Sequence, residues 1–215
     1  MFFAAAAWTG NVNPTAAGSD CRRPNVVVLG GDPGDRQLAC EGAGAALAFL
    51  EGIGLDVSGK IEIEIVSSLD GNTSGTAAGC YLAGSHKVMV LNYQKFLAFG
   101  DWFGIPIDHA LYRSLVAHEA AHVVAACHFQ YPNPTIQAQE YIAYVTMFAT
   151  MEPRQRALVM MRYPGKGYET EQQINATIYL CDPMRFGVQV YRHFLKDGHG
   201  ADYLRAVLAG SVLAQ

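Results

Sequence analysis

Apolar residues change their period twice along this chain. NVVVLGGD, residues 25–32, is a β-branched run closed by Gly-Gly-Asp, which predicts a strand entering a turn. RQLACEGAGAALAFLEGIGL then carries apolar residues at helical spacing, with Leu47, Phe49 and Leu50 towards its end and Gly52 and Gly54 stopping it. In KIEIEIVSSL, residues 60–69, the period falls to two. Ile61, Ile63 and Ile65 share one face and Glu62 and Glu64 the other, the pattern of a strand with one wet side. A loop rich in Gly, Ser and Thr over 70–79 leads to CYLAGSHKVMVLNY, which predicts a hairpin turning at Gly84 and Ser85 and returning through Lys87–Leu91.

From Ile107 the pattern turns helical and largely stays so. Asp108 is placed to cap a helix over 109–128, which Pro132 and Pro134 end. Thr135 caps a second helix, 136–150, and a third covers 153–161. After a glycine-bearing loop at 164–168, helices follow over 170–181, from Pro183 to His193 or Phe194, and over about 201–209. The expected fold class is α+β, a small N-terminal β-sheet with one helix packed on a helical C-terminal half. The two lobes, 21–106 and 107–215, form a single domain.

Composition narrows the function classes. With 215 residues, 51% of them hydrophobic and 16% charged, the chain has the makings of one globular domain with a sizeable core. A net charge of −4, with no basic run and no glycine-rich phosphate loop, argues against nucleic acid as a partner. No stretch approaches the ~20 apolar residues of a membrane span.

The first twenty residues, MFFAAAAWTG followed by NVNPTAAGSD, read as a secretory signal remnant without its basic start, or as a disordered N-terminus. The expected location is therefore outside the cytoplasm, periplasmic or secreted, with a cytoplasmic protein as the alternative. Five cysteines leave at least one unpaired within the chain; Cys21 and Cys40 flank the first strand and suit a bridge, whereas Cys127 near the end of an apolar helix is expected to be buried.

Inside that helix lies HEAAH. His118 and His122, four residues apart, stack on one helix face and can reach one metal ion. Zinc suits such ligands, and Glu119, offset around the helix, is positioned to take a proton from water. Chance alone gives this motif in roughly one chain in a hundred of this composition. Its neighbours, Leu115, Val116, Ala117, Ala120, Ala121, Val123, Val124, Ala125 and Ala126, make the helix a buried one. Unpartnered polar groups are costly there, which favours a metal over a pair of core histidines bonded to backbone carbonyls.

Two residues compete for the third ligand position. His128 has the spacing of the metzincin third histidine, but Ala125 and Ala126 stand where that family turns out of its helix at a glycine. On a continuing helix His128 points about 240° away from His122. Glu140 lies beyond the proline-bounded loop, on the next helix. HEAAH followed by QEYIAY resembles the gluzincins, and together with a later FGVQVYRHF it is similar to a bacterial family of uncharacterised gluzincin-like peptidases.

The resemblance implies a zincin fold, one Zn²⁺ held by His118, His122 and Glu140, Glu119 as the catalytic base, and a peptide or protein substrate laid along a sheet edge. One departure stands out. Tyr144 occupies a position where many gluzincins carry an acid oriented onto a histidine, which leaves Asp182 or a backbone carbonyl as the histidine's partner.

Tyr168, Tyr179, Tyr191 and His193 are candidates to stabilise an oxyanion, with Tyr191 and His193 the two to follow. The exposed edge is expected at 87–91 or at a rim marked by Glu62 and Glu64. His86 and His199 are expected at the surface and His109 near a helix start. The rival function is a zincin-fold protein that binds metal or a partner and cleaves nothing.

Overall fold

The computed structural model describes residues 19–57, 59–69 and 77–214, with side chains from residue 21 onwards. The N-terminal stretch 1–20 lies outside this description, apart from the backbone of 19 and 20, as does most of the loop expected over 70–79. Among the described residues the chain is a mixed α and β protein, and no helix is long and apolar enough to cross a membrane.

The strands are β1 (Ser19–Asp20), β2 (Val26–Gly30), β3 (Ile61–Val66), β4 (Gly79–Leu82) and β5 (Lys87–Leu91). They form one sheet in the order β1-β2-β3-β5-β4, in which β2, β3 and β5 run parallel and β1 and β4 flank them antiparallel. The alternation in β3 behaves as its pattern dictates. Ile61, Ile63 and Ile65 bury into a core shared with Val26, Val28, Val88 and Val90. On the opposite face Lys87 Nζ lies 3.0 Å from Glu62 Oε1 and 2.8 Å from Glu64 Oε2. These pairs are half-exposed, so they add little to stability.

The exposed edge expected at 87–91 is not there. β5 is interior, pairing with β3 on one side and β4 on the other. The parallel register sets Ile63 beside Val88 and Ile65 beside Val90, so joining β3 buries two β-branched pairs. That leaves β4 at the edge. Glu62 and Glu64 mark no rim either, because β3 is the central strand.

Helix α1 (Pro33–Gly52) begins three residues before the expected Arg36. Asp32 Oδ1 accepts from Asp35 N at 2.8 Å, Asp35 returns a carboxylate to Asp32 N, and Pro33 opens the first turn. Cys21 and Cys40 form a disulfide that ties the chain entering β2 to this helix, with Cα atoms 5.3 Å apart. The unassigned stretch after β5 holds a short helix α2 (Tyr93–Leu97) and a hairpin of β6 (Asp101–Trp102) and β7 (Ile105–Pro106).

Helix α3 (His109–His128) matches the expected span and is buried on nearly every side from Leu111 to Ala125. It is fastened at three places. Asp108 Oδ1 accepts from Leu111 N at 2.9 Å and from Gln155 Nε2 at 2.6 Å. The Tyr112 hydroxyl donates to the Leu91 carbonyl at 2.8 Å, and His128 Nε2 donates to the Asp56 carbonyl at 2.7 Å. Cys127, expected in the core, is exposed because the buried run stops at Ala125.

Helix α4 (Ile136–Thr150) starts at the Thr135 cap and packs on α3. It is followed by α5 (Pro153–Arg162), α6 (Ala176–Cys181), α7 (Pro183–Phe194) and α8 (Gly200–Ala209). The helix expected over 170–181 is split. A single 3₁₀ turn covers 171–173, and Asn175 Oδ1 then caps α6 by accepting from Ile178 N at 3.0 Å.

Candidate metal centre

Helix spacing places His118 and His122 one turn apart on α3, and the Thr135 cap starts α4 so that Glu140 falls opposite them. His118 Nε2 and His122 Nε2 are 3.3 Å apart. Glu140 Oε2 lies 3.5 Å from His118 Nε2, and Glu140 Oε1 lies 3.6 Å from His122 Nε2. Candidate ligand atoms from the three residues all lie within 4.8 Å of one another, so the group could hold a metal ion. Each residue is only 8% exposed. Among the described residues, neither Glu140 Oε2 nor His118 Nδ1 has a hydrogen-bond partner, despite their burial. Two imidazole nitrogens and a carboxylate turned on one point, deep in an apolar core, form a donor set that could hold a cation.

The electrostatics follow from burial and from these neighbours. Burial lowers the His122 pKa to about 4 against the weaker pull of Glu140, so this imidazole is neutral and offers a lone pair. For His118, burial also pulls downward, but the close Glu140 carboxylate and the charge of Glu119 together raise it. Burial would raise Glu140, yet His118, His122 and the Tyr179 hydroxyl hold its carboxyl below the usual range. Glu119 is 6% exposed, and burial pushes its pKa up to about 7, with Glu140 adding to the rise and His118 opposing it. A carboxyl poised near neutrality beside a metal-ready cluster suits proton transfer.

The surroundings decide how this group is presented. Tyr144, one turn beyond Glu140, sets its ring 4.6 Å from that of His118. It occupies the expected acid's position and packs on the histidine without hydrogen-bonding it. The space for Tyr144 comes from Gly187 on α7, where a Cβ would stand 2.5 Å from Tyr144 Cδ1. On the sheet side Gly79 of β4 lies so close to Glu119 that a Cβ there would be 2.4 Å from Oε1. Two residues on, Tyr81 stacks nearly parallel on His122 with ring centroids 6.1 Å apart.

Of the four oxyanion candidates, Tyr179 reaches the centre, through Glu140, and its hydroxyl is held protonated by burial and by the two carboxylates. The two singled out for attention go elsewhere. Tyr191 packs between Phe148 and Phe194, and His193 Nδ1 lies 2.7 Å from the Tyr141 hydroxyl. Tyr168 packs on Phe186. Asp182 caps α7 by accepting from Arg185 N at 2.9 Å, so it orients no histidine. His128 is fastened to Asp56 and stands outside the ligand group.

His109 opens α3, as expected, and His86 is exposed. His199 is half-buried rather than fully exposed, and its Nδ1 bonds the His193 carbonyl at 2.7 Å. Gly79, Tyr81 and Gly187 were not marked by the sequence.

The structure thus defines a mixed α and β protein with a buried His-His-Glu centre on two adjacent helices. The chain belongs to DUF6639, a family of unknown function whose match spans residues 26–215. No curated protein and no solved structure matches it.

Proposed function

We propose that this protein is a zinc-dependent hydrolase, a metallopeptidase of the gluzincin type. The observation that carries the reading is the convergence of His118, His122 and Glu140. A tetrahedral ion bound at ~2.0–2.1 Å requires nitrogen ligands about 3.3–3.4 Å apart. The two imidazole nitrogens are separated by 3.3 Å, and the carboxylate contacts of 3.5 and 3.6 Å are nearly as close. Two imidazoles and one carboxylate are also the donor set that leaves zinc an open position.

When bound, zinc supplies a Lewis acid that polarises a carbonyl and makes water a stronger acid. The chain's own residues do the rest. Glu119 accepts a proton from the attacking water and passes it to the leaving amine. The protonated Tyr179 hydroxyl, which bonds Glu140 at rest, is the donor that turns to an oxygen gaining negative charge. A peptide lies extended along the free edge of β4 by strand addition, antiparallel or parallel to Gly79–Leu82. The Cys21–Cys40 disulfide supports an exported location.

The second reading, a metal-binding protein without turnover, is favoured by the 6–8% exposure of all four residues. Elemental analysis of the wild type and of Glu119→Gln, together with digestion of a peptide library, separates the two. The hydrolase reading requires about one zinc per chain in both proteins and cleavage by the wild type alone. A zinc-loaded wild type that cuts no peptide leaves the metal-binding reading, and a wild type without zinc removes both.

A further inference from the structure

Glu119, His118, His122 and Glu140 are only 6–8% exposed, so what lies over them sets how a substrate reaches them. Three features on the sheet side identify what covers them. The backbone of Gly79 closes over Glu119, leaving no room for even one methyl group, and the Tyr81 ring lies on His122. The Tyr81 hydroxyl accepts from Gly84 N at 3.3 Å, which ties that ring to the turn of its own hairpin. The turn in turn reaches α3, where Cys127 Sγ lies 3.8 Å from Nε2 and 4.0 Å from Nδ1 of His86. His86 has a positive φ of 53° and Cys127 is exposed, so this contact sits at the rim, where solvent reaches it.

We infer that β4 and the turn after it form a gate over the metal centre, latched by the His86–Cys127 contact between the hairpin and the ligand helix. The inference rests on the hydrolase reading, since it assigns that site its entrance. β4 is suited to the part. It is four residues long and, among the described residues, pairs on one side only and is an end strand of the sheet, whereas α3 and α4 are locked in the core. Lifting it breaks few hydrogen bonds, uncovers Glu119 and His122 together, and leaves β5 held by β3. The latch lies five residues beyond His122 on the same helix, so it can open without disturbing a ligand.

Hydrogen exchange of the full chain, with and without added zinc, tests the gate in wild type, His86→Ala and Cys127→Ser. Both variants should exchange the amides of residues 79–82 about tenfold faster, with β2 and β3 unchanged. Extraction of bound zinc by a chelator should quicken by a similar factor. Unchanged exchange at 79–82, or an increase spread equally over β2 and β3, overturns the gate. The metal-free arm decides this alone: a chain that binds no zinc refutes the hydrolase reading, while its exchange pattern still accepts or rejects the moving strand.

Discussion

His193 should make the fold sensitive to acid, and the size of the effect can be worked out. Its side chain is 2% exposed, with Nδ1 2.7 Å from the Tyr141 hydroxyl on α4. His199 packs on its ring with centroids 4.1 Å apart, Tyr203 of α8 meets it at 4.6 Å, and Lys196 lies one turn on. Burial first, then the charges of His199 and Lys196, lower its pKa from 6.5 to about 4.

The folded protein therefore refuses a proton that the unfolded chain accepts. Stability is full above pH 6.5 and is lost as pH falls towards 4, below which this group takes no more. A gap of about 2.5 pH units, at ~1.36 kcal/mol each, is worth about 3 kcal/mol in all, of which about 2.5 has gone by pH 4.5. Urea unfolding of wild type and His193→Gln at pH 7.5 and 4.5 isolates the term, because the carboxylates titrate alike in both and cancel in the double difference. The wild type's advantage should shrink by about 2.5 kcal/mol across that range. A change below about 0.5 kcal/mol would falsify the reasoning, since it would mean that His193 titrates much as it does in the unfolded chain.

Two further outcomes bear on the centre itself. His122→Ala and Glu140→Ala should each weaken zinc binding by more than the ~10–100-fold that loss of an outer-shell partner costs, whereas His128→Ala should leave it unchanged. The reverse result, read by competition with a chromogenic chelator, would replace Glu140 with His128 as the third ligand. Gly187→Ala should cost about 1–3 kcal/mol in thermal unfolding, because its methyl group overlaps Tyr144. It should also weaken zinc binding, because Tyr144 is packed on His118. Wild-type stability in that variant would mean that the Tyr144 ring has room to move aside.

The helical half was readable because its boundaries are written in side chains. Asp108, Thr135 and Pro183 sit where the caps and first turns fall, so α3, α4 and α7 appear at their expected positions. Glu140 was readable for a related reason. Ala125 and Ala126 keep α3 straight and send His128 to Asp56, and the next helix brings Glu140 into the group that could hold a metal ion.

What escaped was anything set by the order of strands or the facing of helices. A period of two identifies Lys87–Leu91 as a strand but is silent on whether β3 or solvent lies beside it. Tyr179, Tyr191 and His193 look alike as polar groups on C-terminal helices, and only the packing of α6 and α7 separates them. The capping box at Asp32 and Asp35 was in plain view, yet Gly-Gly-Asp before Pro33 also spells a turn, and both descriptions apply to the same residues.

The three fastenings of α3 carry one more consequence. Asp108 indexes its start against α5, Tyr112 indexes its second turn against β5, and His128 indexes its end against the loop at Asp56. A helix advances ~1.5 Å per residue, so sliding α3 by a single step would break all three bonds at once. The ligand helix is therefore a fixed rail, with little freedom to shift along or turn about its own axis. Compliance at the centre is left to the parts that bear on the rail from outside, and sequence changes in those parts can reshape what enters while the two histidines keep their spacing.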